Sequence, residues 1–149
     1  MTVHYQGTPE ALQALDAYVK LSRAVNALEA RLSERHAYGG LTASQFGVLE
    51  ALYHLGPLCQ GELSAKLLKS GGNLTLVVDN LVRLGLVERE RDTGDRRRVM
   101  VTLTEAGRER ITELFPLHVQ DIVTEFSVLS PEEQATLASL CRKLGKAGQ

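Results

Sequence analysis

Apolar residues in the first part of the chain recur at alternating spacings of three and four, with polar residues between them. The stripe comprises Ala11, Ala14, Tyr18, Leu21, Val25, Leu28 and Leu32. This heptad-like pattern predicts an amphipathic helix, for which Thr8 is a suitable N-cap and Pro9 a suitable first residue. We expect the helix to span residues 9–35 and to be about 40 Å long. Such a helix is longer than a 149-residue globule needs, which indicates an interface with a partner chain.

Three shorter apolar stripes follow and predict three short helices. Thr42 and Gln45 have capping-box spacing at the start of the first, which Gly56-Pro57 ends. The second covers residues 61–68 and the third residues 71–84. Gly85 then stands where a left-handed residue commonly closes a helix. The inward face of the third helix is expected to comprise Leu74, Val77, Val78, Leu81 and Leu84.

After Gly85 the period of the pattern changes from that of a helix to that of a strand. Residues 86–91 read LVERER, residues 92–95 read as a turn, and RRRVMVTLT follows. In the second limb Val99, Val101 and Leu103 alternate with Met100 and Thr102. An alternation of period two on both sides of a polar turn predicts a β-hairpin with a charged tip.

Helical periodicity returns at Thr104 and continues to Phe126, with Pro116 expected to kink the helix. Ser130-Pro131 and a following glutamate then start a last helix. Its buried face is expected to comprise Leu137, Leu140, Cys141 and Leu144. The predicted fold class is mainly α with a small β-hairpin wing: a winged helix-turn-helix flanked by N- and C-terminal dimerisation helices.

The exposed face of the third short helix and the hairpin tip carry side chains suited to nucleic acid. Asn and Thr are small donors and acceptors that fit base edges in a major groove, and lysine or arginine binds phosphate. The candidate DNA-binding residues are Lys69, Ser70, Asn73, Thr75, Leu76, Asn80, Arg96, Arg97 and Arg98. The structural alternative is that the polar residues cap the helix and the arginines form a solvated tip. Asp95 would repel phosphate, so we expect it to support the wing.

Residues 41–107 resemble the MarR family of transcriptional regulators. The resemblance lies in LTASQFGVLEALYHLG, SGGNLTLVVDNLVRLGLVERE and DTGDRRRVMVTLTEAG. The wing pattern Asp-x-Arg followed by Leu-Thr-x-x-Gly is met by Asp95, Arg97, Leu103, Thr104 and Gly107. The flanking helices also match, so the resemblance covers nearly the whole chain.

The resemblance implies a homodimer whose terminal helices interlock. It also implies a recognition helix in the major groove of a pseudo-palindromic operator, a wing arginine in the minor groove, and a repressor released by a ligand. We expect one MarR-like domain over residues 1–149, with a DNA-binding part at 41–104 and dimerisation helices at 9–36 and 105–147. The expected dimer-interface residues are Tyr18, Leu21, Val25, Leu137, Leu140 and Leu144.

The overall charge is at first sight an argument against DNA binding, because 17 Lys+Arg and 18 Asp+Glu give a net charge of −1. The charges are unevenly distributed, however. Residues 60–98 contain eight basic and six acidic residues, a net of +2, and the remainder contains nine and twelve, a net of −3. Phosphate affinity depends on the charge of the local contact face. The predicted DNA-binding region, residues 60–98, therefore has the net positive charge that phosphate binding needs. A winged-helix module that only binds proteins, the second hypothesis, would not need three consecutive arginines.

Two cysteines are too few for a disulfide framework and suggest a reduced compartment. Cys59 precedes a predicted helix, where a thiol can become reactive, so a redox-sensing regulator through Cys59 is an alternative to a ligand-responsive one. An inert thiol is the simpler reading. Cys141 lies on an apolar stripe and is expected to be core filler. Residues 1–58 contain no cysteine, so the peroxide-sensing cysteine that some family members carry in the first helix has no counterpart here.

Aromatic residues near the predicted domain junction suggest a pocket for a small aromatic or phenolic effector. The candidates are Tyr18, His36, Tyr38, Phe46 and Tyr53. Ordinary core packing is the alternative for each of them, and His118 is expected to be a packed helix histidine. No catalytic motif and no metal-ligand spacing occurs in the sequence, so we expect neither an enzyme nor a cofactor. No secretory signal or membrane-spanning run is present, which favours a cytoplasmic protein.

Overall fold

The helices and strands begin and end close to where the apolar pattern predicts. The computed structural model describes residues 4–35, 38–67 and 71–147. In these ranges the elements are α1 (Pro9–Glu34), α2 (Ala43–Leu55), β1 (Leu58–Cys59), α3 (Gln60–Leu67), α4 (Gly71–Arg83), β2 (Val87–Arg91), β3 (Val99–Leu103), α5 (Glu105–Phe126) and α6 (Pro131–Lys146). The predicted fold class, mainly α with a small β wing, is confirmed.

Local capping chemistry explains where the helices start. The Thr8 side chain accepts a hydrogen bond from the Ala11 N–H at 3.1 Å, with Pro9 at the first helical position. α2 begins with the predicted capping box, in which Thr42 and Gln45 each bond the other's backbone N–H. α6 begins with the same reciprocal arrangement of Ser130 and Glu133. Each cap satisfies N–H groups that have no partner inside the helix.

The sheet has three strands in the order β1-β3-β2, and both pairings are antiparallel. β2 and β3 form the predicted hairpin, with Val87 opposite Leu103 and Arg91 opposite Val99. β1 was not predicted, because two residues are too few to show a period. It adds Cys59 opposite Met100 on the other edge of β3. The wing is therefore attached to the chain that enters α3.

The core forms around α2, which supplies four buried side chains, and is completed by α3, α4, the sheet and α5. Its members are Phe46, Val48, Leu49, Leu52, Leu58, Leu63, Leu74, Val78, Leu81, Leu86, Val87, Val101, Ile111 and Leu114. Leu84 was expected to face this core but is 57% exposed. α4 ends at Arg83, and Gly85 then takes a φ of +75°, so the chain turns before Leu84 can follow the helix face.

The junction between the wing and α5 depends on a close backbone approach. The Thr104 N–H donates to the Leu86 carbonyl at 3.1 Å, and the Thr104 hydroxyl donates to the Gly85 carbonyl at 2.6 Å. Gly107 lies against the same turn, where a Cβ atom would be 1.9 Å from the Leu86 oxygen. Only glycine fits at this position, which explains the glycine of the Leu-Thr-x-x-Gly pattern.

The two terminal helices bury no residue. The chain divides into two compact units, Met1–Arg35 and His36–Gln149. In α1, Tyr18 is 68% and Val25 43% exposed, and Leu21 is half-buried.

The expectation that α6 has a buried face is wrong for the single chain. Leu140 and Leu144 are 59% and 62% exposed, Leu137 is half-buried, and Cys141 is exposed rather than core filler. Nothing in the described part of this chain covers that stripe. An open apolar groove of about 440 Å³ lies along it, lined by Leu129, Glu132, Glu133, Thr136, Leu137 and Leu140.

α5 is a single continuous helix through Pro116. Among the described residues, no helix has the length and apolarity needed to cross a bilayer.

Candidate nucleic-acid interface

The tip of the hairpin is an ordered turn. The Asp92 N–H donates to the Arg98 carbonyl at 3.0 Å, and the Arg98 N–H donates to the Asp95 carbonyl at 3.0 Å. The Asp92 carboxylate also accepts the Gly94 N–H at 3.0 Å, an Asx-type contact that stabilises such turns. The Arg96 carbonyl accepts from the Arg91 guanidinium at 2.9 Å. The backbone that carries the three arginines is therefore held from inside the wing.

Arg97 lies in this turn, and its side chain is 93% exposed. The Asp95 carboxylate accepts the Arg97 backbone N–H at 3.0 Å and contacts its Nε at 3.4 Å. Asp95 thus holds the backbone of the tip, while most of the guanidinium faces solvent. Arg96 is also exposed. These two side chains are the cations that the wing presents outward.

Arg98 points back toward the helices. Its Nη2 donates to Glu62 Oε1 in the first turn of α3 at 2.6 Å. The same Glu62 oxygen accepts the Cys59 backbone N–H at 3.2 Å. Hydrogen bonds from the side chain and backbone of Cys59, together with the charge of Arg98, lower the pKa of Glu62. Hydrogen bonding with the Cys59 side chain and the negative charge of Glu62 raise the pKa of Arg98.

α4 presents the face that the sequence predicts for base contacts. Asn73, Thr75 and Leu76 are exposed, Leu76 by 57%, and Asn80 is half-buried. Thr75 accepts a hydrogen bond from the Gln60 side chain at the start of α3. Two further candidates, Lys69 and Ser70, lie outside the described residues.

A second ion pair joins α4 to the wing: Arg89 Nη2 of β2 contacts Asp79 Oδ1 at 2.5 Å. The contacts of Glu62, Asp79 and Gln60 with other elements cannot be predicted from the sequence. Glu62 and Arg98 are 36 positions apart, and Gln60 and Thr75 are 15 apart. No local spacing connects such pairs. The alternating acidic and basic residues of β2 are the one available signal, because they show that the wing strand itself offers charges for pairing.

Three of the five candidate effector residues, Tyr38, Phe46 and Tyr53, lie in an aromatic cluster that also contains His118. The Phe46 ring is 5.0 Å from Tyr38 and 4.8 Å from His118, measured between centroids. Tyr53 contacts Phe115, with centroids 6.1 Å apart, and Phe115 in turn lies 6.4 Å from His118. Phe46 is part of the core, so ordinary packing accounts for much of this cluster. Tyr18 belongs to α1, and His36 lies outside the described residues.

His118 is 8% exposed, as expected of a packed helix histidine. Its Nδ1 atom is buried and has no hydrogen-bond partner in the described part of the chain.

The remaining polar groups form no further site among the described residues. Cys59 is half-buried in β1, directly before α3. No cluster of three or more metal-ligating side chains occurs in the ranges described.

Comparison with known proteins shows the same architecture and sequence signature in gene regulators. A family model described as the MarR family matches residues 39–98. The HTH-type transcriptional regulator YkoM of Bacillus subtilis (strain 168), itself uncharacterized, is 35% identical over 136 residues, which cover 91% of this chain and 88% of YkoM.

Two solved structures are informative. BpsR of Bordetella bronchiseptica, whose DNA binding is regulated by 6-hydroxynicotinic acid, has 28% identity, a TM-score of 0.78 and 99% coverage of both chains. A cysteine-to-serine variant of Escherichia coli MarR bound to operator DNA has 30% identity and a TM-score of 0.73, and the match covers 87% of this chain and 96% of that one.

The match to YkoM extends well beyond the helix-turn-helix, and the wing, recognition helix and flanking helices all have the expected order. The relatives are transcriptional regulators rather than enzymes. The chain belongs to the MarR family of winged helix-turn-helix transcriptional regulators.

Proposed function

We propose that this MarR-family chain is a homodimeric repressor that binds a pseudo-palindromic DNA operator and is released by a small aromatic effector. The observation that carries the DNA-binding part is the 93% exposed Arg97 side chain at the tip of an internally bonded hairpin. A cation held outward on an ordered turn suits insertion into a minor groove. The relative that was solved in complex with operator DNA supports DNA binding by a chain of this fold.

In this proposal the exposed face of α4 reads the major groove. Asn73 and Thr75 offer hydrogen bonds to base edges, and Leu76 offers an apolar contact to a thymine methyl group. Asn80 lies further along the same helix. Lys69 and Ser70 precede α4 in the sequence and are proposed to contact phosphate, which positions the helix without reading sequence.

The homodimer is supported by the apolar side chains that the terminal helices leave exposed. Tyr18 and Val25 in α1 and Leu140 and Leu144 in α6 are between 43% and 68% exposed. Apolar stripes of this kind in a folded chain are typical of protein interfaces. Leu21 and Leu137, half-buried on the same helices, complete the proposed interface. A two-fold dimer places two recognition helices about 34 Å apart, one turn of DNA.

The effector site is proposed at the aromatic cluster of Tyr38, Phe46 and Tyr53. An unsatisfied buried polar atom such as Nδ1 of His118 costs about 1–3 kcal/mol. A hydroxyl or carboxyl group on a small aromatic ring would satisfy it while the ring packs against Phe46. The regulation of BpsR by 6-hydroxynicotinic acid supports this ligand class. Tyr18 and His36 remain sequence predictions for the site.

Selection of bound duplexes from a random pool tests the DNA-binding proposal. We expect an enriched site with two related half-sites about one helical turn apart. Enrichment of no duplex would overturn the proposal of a DNA-binding regulator.

Competition with small molecules tests the effector. We expect phenol, salicylate or 6-hydroxynicotinic acid to release the enriched duplex, whereas cyclohexanol, which has a hydroxyl group but no aromatic ring, should not. Release by cyclohexanol at the same concentration would contradict an aromatic site. His118→Phe should abolish release while leaving DNA affinity unchanged.

A further inference from the structure

The three arginines of the wing tip divide into two that face outward and one that faces the helices. Arg97 is 93% exposed, whereas Arg98 is 45% exposed and directs its Nη2 to Glu62 at 2.6 Å. The exposed fraction of Glu62 is 44%. Arg98 and Glu62 therefore form a defined contact between the wing and α3.

The backbone around this pair explains why the two side chains meet. Arg98 closes the tip turn through its N–H and carbonyl, and β3 begins at the next residue. β3 pairs with β1, which places Met100 opposite Cys59. Glu62 follows Cys59 by three residues and accepts its N–H. The ion pair thus extends the short β1–β3 pairing by one further contact, on the side of the wing tip.

The surroundings of Arg98 argue against a phosphate contact. To contact DNA, the Arg98 guanidinium would have to leave Glu62. The Glu62 carboxylate would then be unpaired on a surface that approaches the DNA and would repel its phosphates. Arg97 has no comparable obstacle, because its contact with Asp95 is longer, at 3.4 Å through Nε, and its side chain is 93% exposed. The neighbouring arginines therefore differ in what they can do.

We propose that Arg98 is a positioning residue for DNA binding: its ion pair with Glu62 anchors the wing to α3, so that Arg96 and Arg97 meet the duplex in a prearranged geometry. The inference rests on the proposed DNA-binding function. A half-exposed ion pair contributes little to global stability. The pair does, however, restrict the motion of the β2–β3 hairpin relative to α3. Restricting a binding element before association lowers the conformational entropy that is lost on binding.

Charge removal and charge exchange test the proposal on the full-length protein with its selected duplex. Glu62→Gln and Arg98→Gln should each weaken binding about threefold. The double variant Glu62→Arg/Arg98→Glu should return affinity to within about twofold of the wild type. Glu88→Gln, which removes an exposed wing carboxylate outside the pair, is the matched control and should not weaken binding.

The salt dependence of affinity separates anchoring from phosphate contact. A positioning role leaves the slope of log K against log salt unchanged in Arg98→Gln, whereas loss of a phosphate contact reduces it by about 0.9 per protomer. A reduced slope, a tighter complex of Glu62→Gln, unchanged affinity in both single variants or no recovery in the exchanged variant would each overturn the proposal.

The mobility of the wing tip in the absence of DNA tests the anchoring role of the ion pair independently of DNA binding. The ¹⁵N order parameters of the Gly94 and Arg97 amides should fall in Glu62→Gln from near 0.85 toward 0.6 and recover in the exchanged variant. Unchanged order parameters would overturn the anchor whether or not a duplex is found. Failure of the wild type to bind any duplex, with order parameters that respond as expected, would overturn the DNA-binding proposal alone.

Discussion

Arg97 and Arg98 are adjacent in sequence but have opposite surroundings. The Arg97 guanidinium extends into solvent over Asp95, and the Arg98 guanidinium folds back onto Glu62. The run of three arginines predicts a cationic hairpin tip, because the turn and its charge are local features of the sequence. It does not predict which arginine is held internally. That depends on Glu62, which β1 and α3 bring to the wing.

Replacing Arg97 by alanine should weaken binding to the selected duplex about tenfold, or ~1.4 kcal/mol. The cause is loss of a highly exposed cation at the wing tip, so the salt slope should also fall, by about 0.9 per protomer. Titrations by fluorescence anisotropy at several salt concentrations measure both. Lys20→Ala removes the same charge from α1, where Lys20 pairs with Asp16, and should leave both quantities unchanged. An unchanged slope in Arg97→Ala would remove Arg97 from the interface.

The pKa of Glu62 reports the contacts at the base of the wing. Hydrogen bonds from Cys59 and the charge of Arg98 hold it below the ordinary value of 4.5. A carboxyl group whose pKa is lower in the folded than in the unfolded state stabilises the fold at pH values above the unfolded-state pKa. This stabilisation is lost as the pH falls through the lower, folded-state pKa. Acidification below about pH 4.5 should therefore release Glu62 from Arg98.

Cys59→Ala should raise the pKa of Glu62 toward 4.5, because it removes the side-chain hydrogen bond that lowers it most. Cys59→Ser replaces the thiol with a hydroxyl donor and should retain more of the lowering of the Glu62 pKa. A ¹³C NMR titration of the Glu62 carboxyl measures both variants. Equal midpoints in wild type and Cys59→Ala would show that the thiol does not contribute.

At the scale of elements, the junction of β3 and α5 gives a physical meaning to the Leu-Thr-x-x-Gly pattern. Thr104 caps α5 by accepting the Gly107 N–H at 3.0 Å, and its own hydroxyl and N–H bond the turn after α4. Gly107 permits α5 to lie against the Leu86 carbonyl. The motif therefore joins the end of α4, the wing and α5 at one point.

Gly107→Ala should reduce the free energy of unfolding by about 2–3 kcal/mol, because the new Cβ overlaps the Leu86 oxygen and the backbone must move. Gly61→Ala is a suitable control, since a Cβ there has nothing within 4 Å and alanine is the better helix former, by about 0.5 kcal/mol or more. Urea unfolding monitored by circular dichroism measures both. Equal stability of the two variants would contradict the close approach.

At the scale of the whole molecule, the terminal helices follow the apolar pattern but bury none of their residues in one chain. Periodicity alone predicts a buried face for α6, but Leu140 and Leu144 are exposed, and none of the residues that the structure describes covers this face. The pattern indicates that a surface must be buried but does not specify whether the same chain or another copy buries it.

Leu140→Asp should convert the proposed dimer into a monomer, because a charge in the proposed interface would be buried without a partner. Sedimentation velocity across a range of concentrations measures the change. Ser139→Asp places the same charge on the opposite face of α6 and should leave the dimer intact. A concentration-independent dimer of Leu140→Asp would show that the interface lies elsewhere.

Short-range patterns along the chain are enough to place the helix ends and the hairpin and to indicate the family. Thr8, Thr42 and Ser130 cap helices through bonds that span three residues, and alternation in β3 needs only its own five residues. Interactions of this kind join residues that are close together in the sequence, so they can be predicted from the sequence.

The contacts between elements, in contrast, become apparent only in the folded structure. β1 is too short to show a period, and Glu62 reaches Arg98 across 36 positions. The placement of His118 against Phe46 likewise depends on how α5 packs on α2. Periodicity shows which face of an element is apolar, but the partner of each polar group depends on how the elements pack.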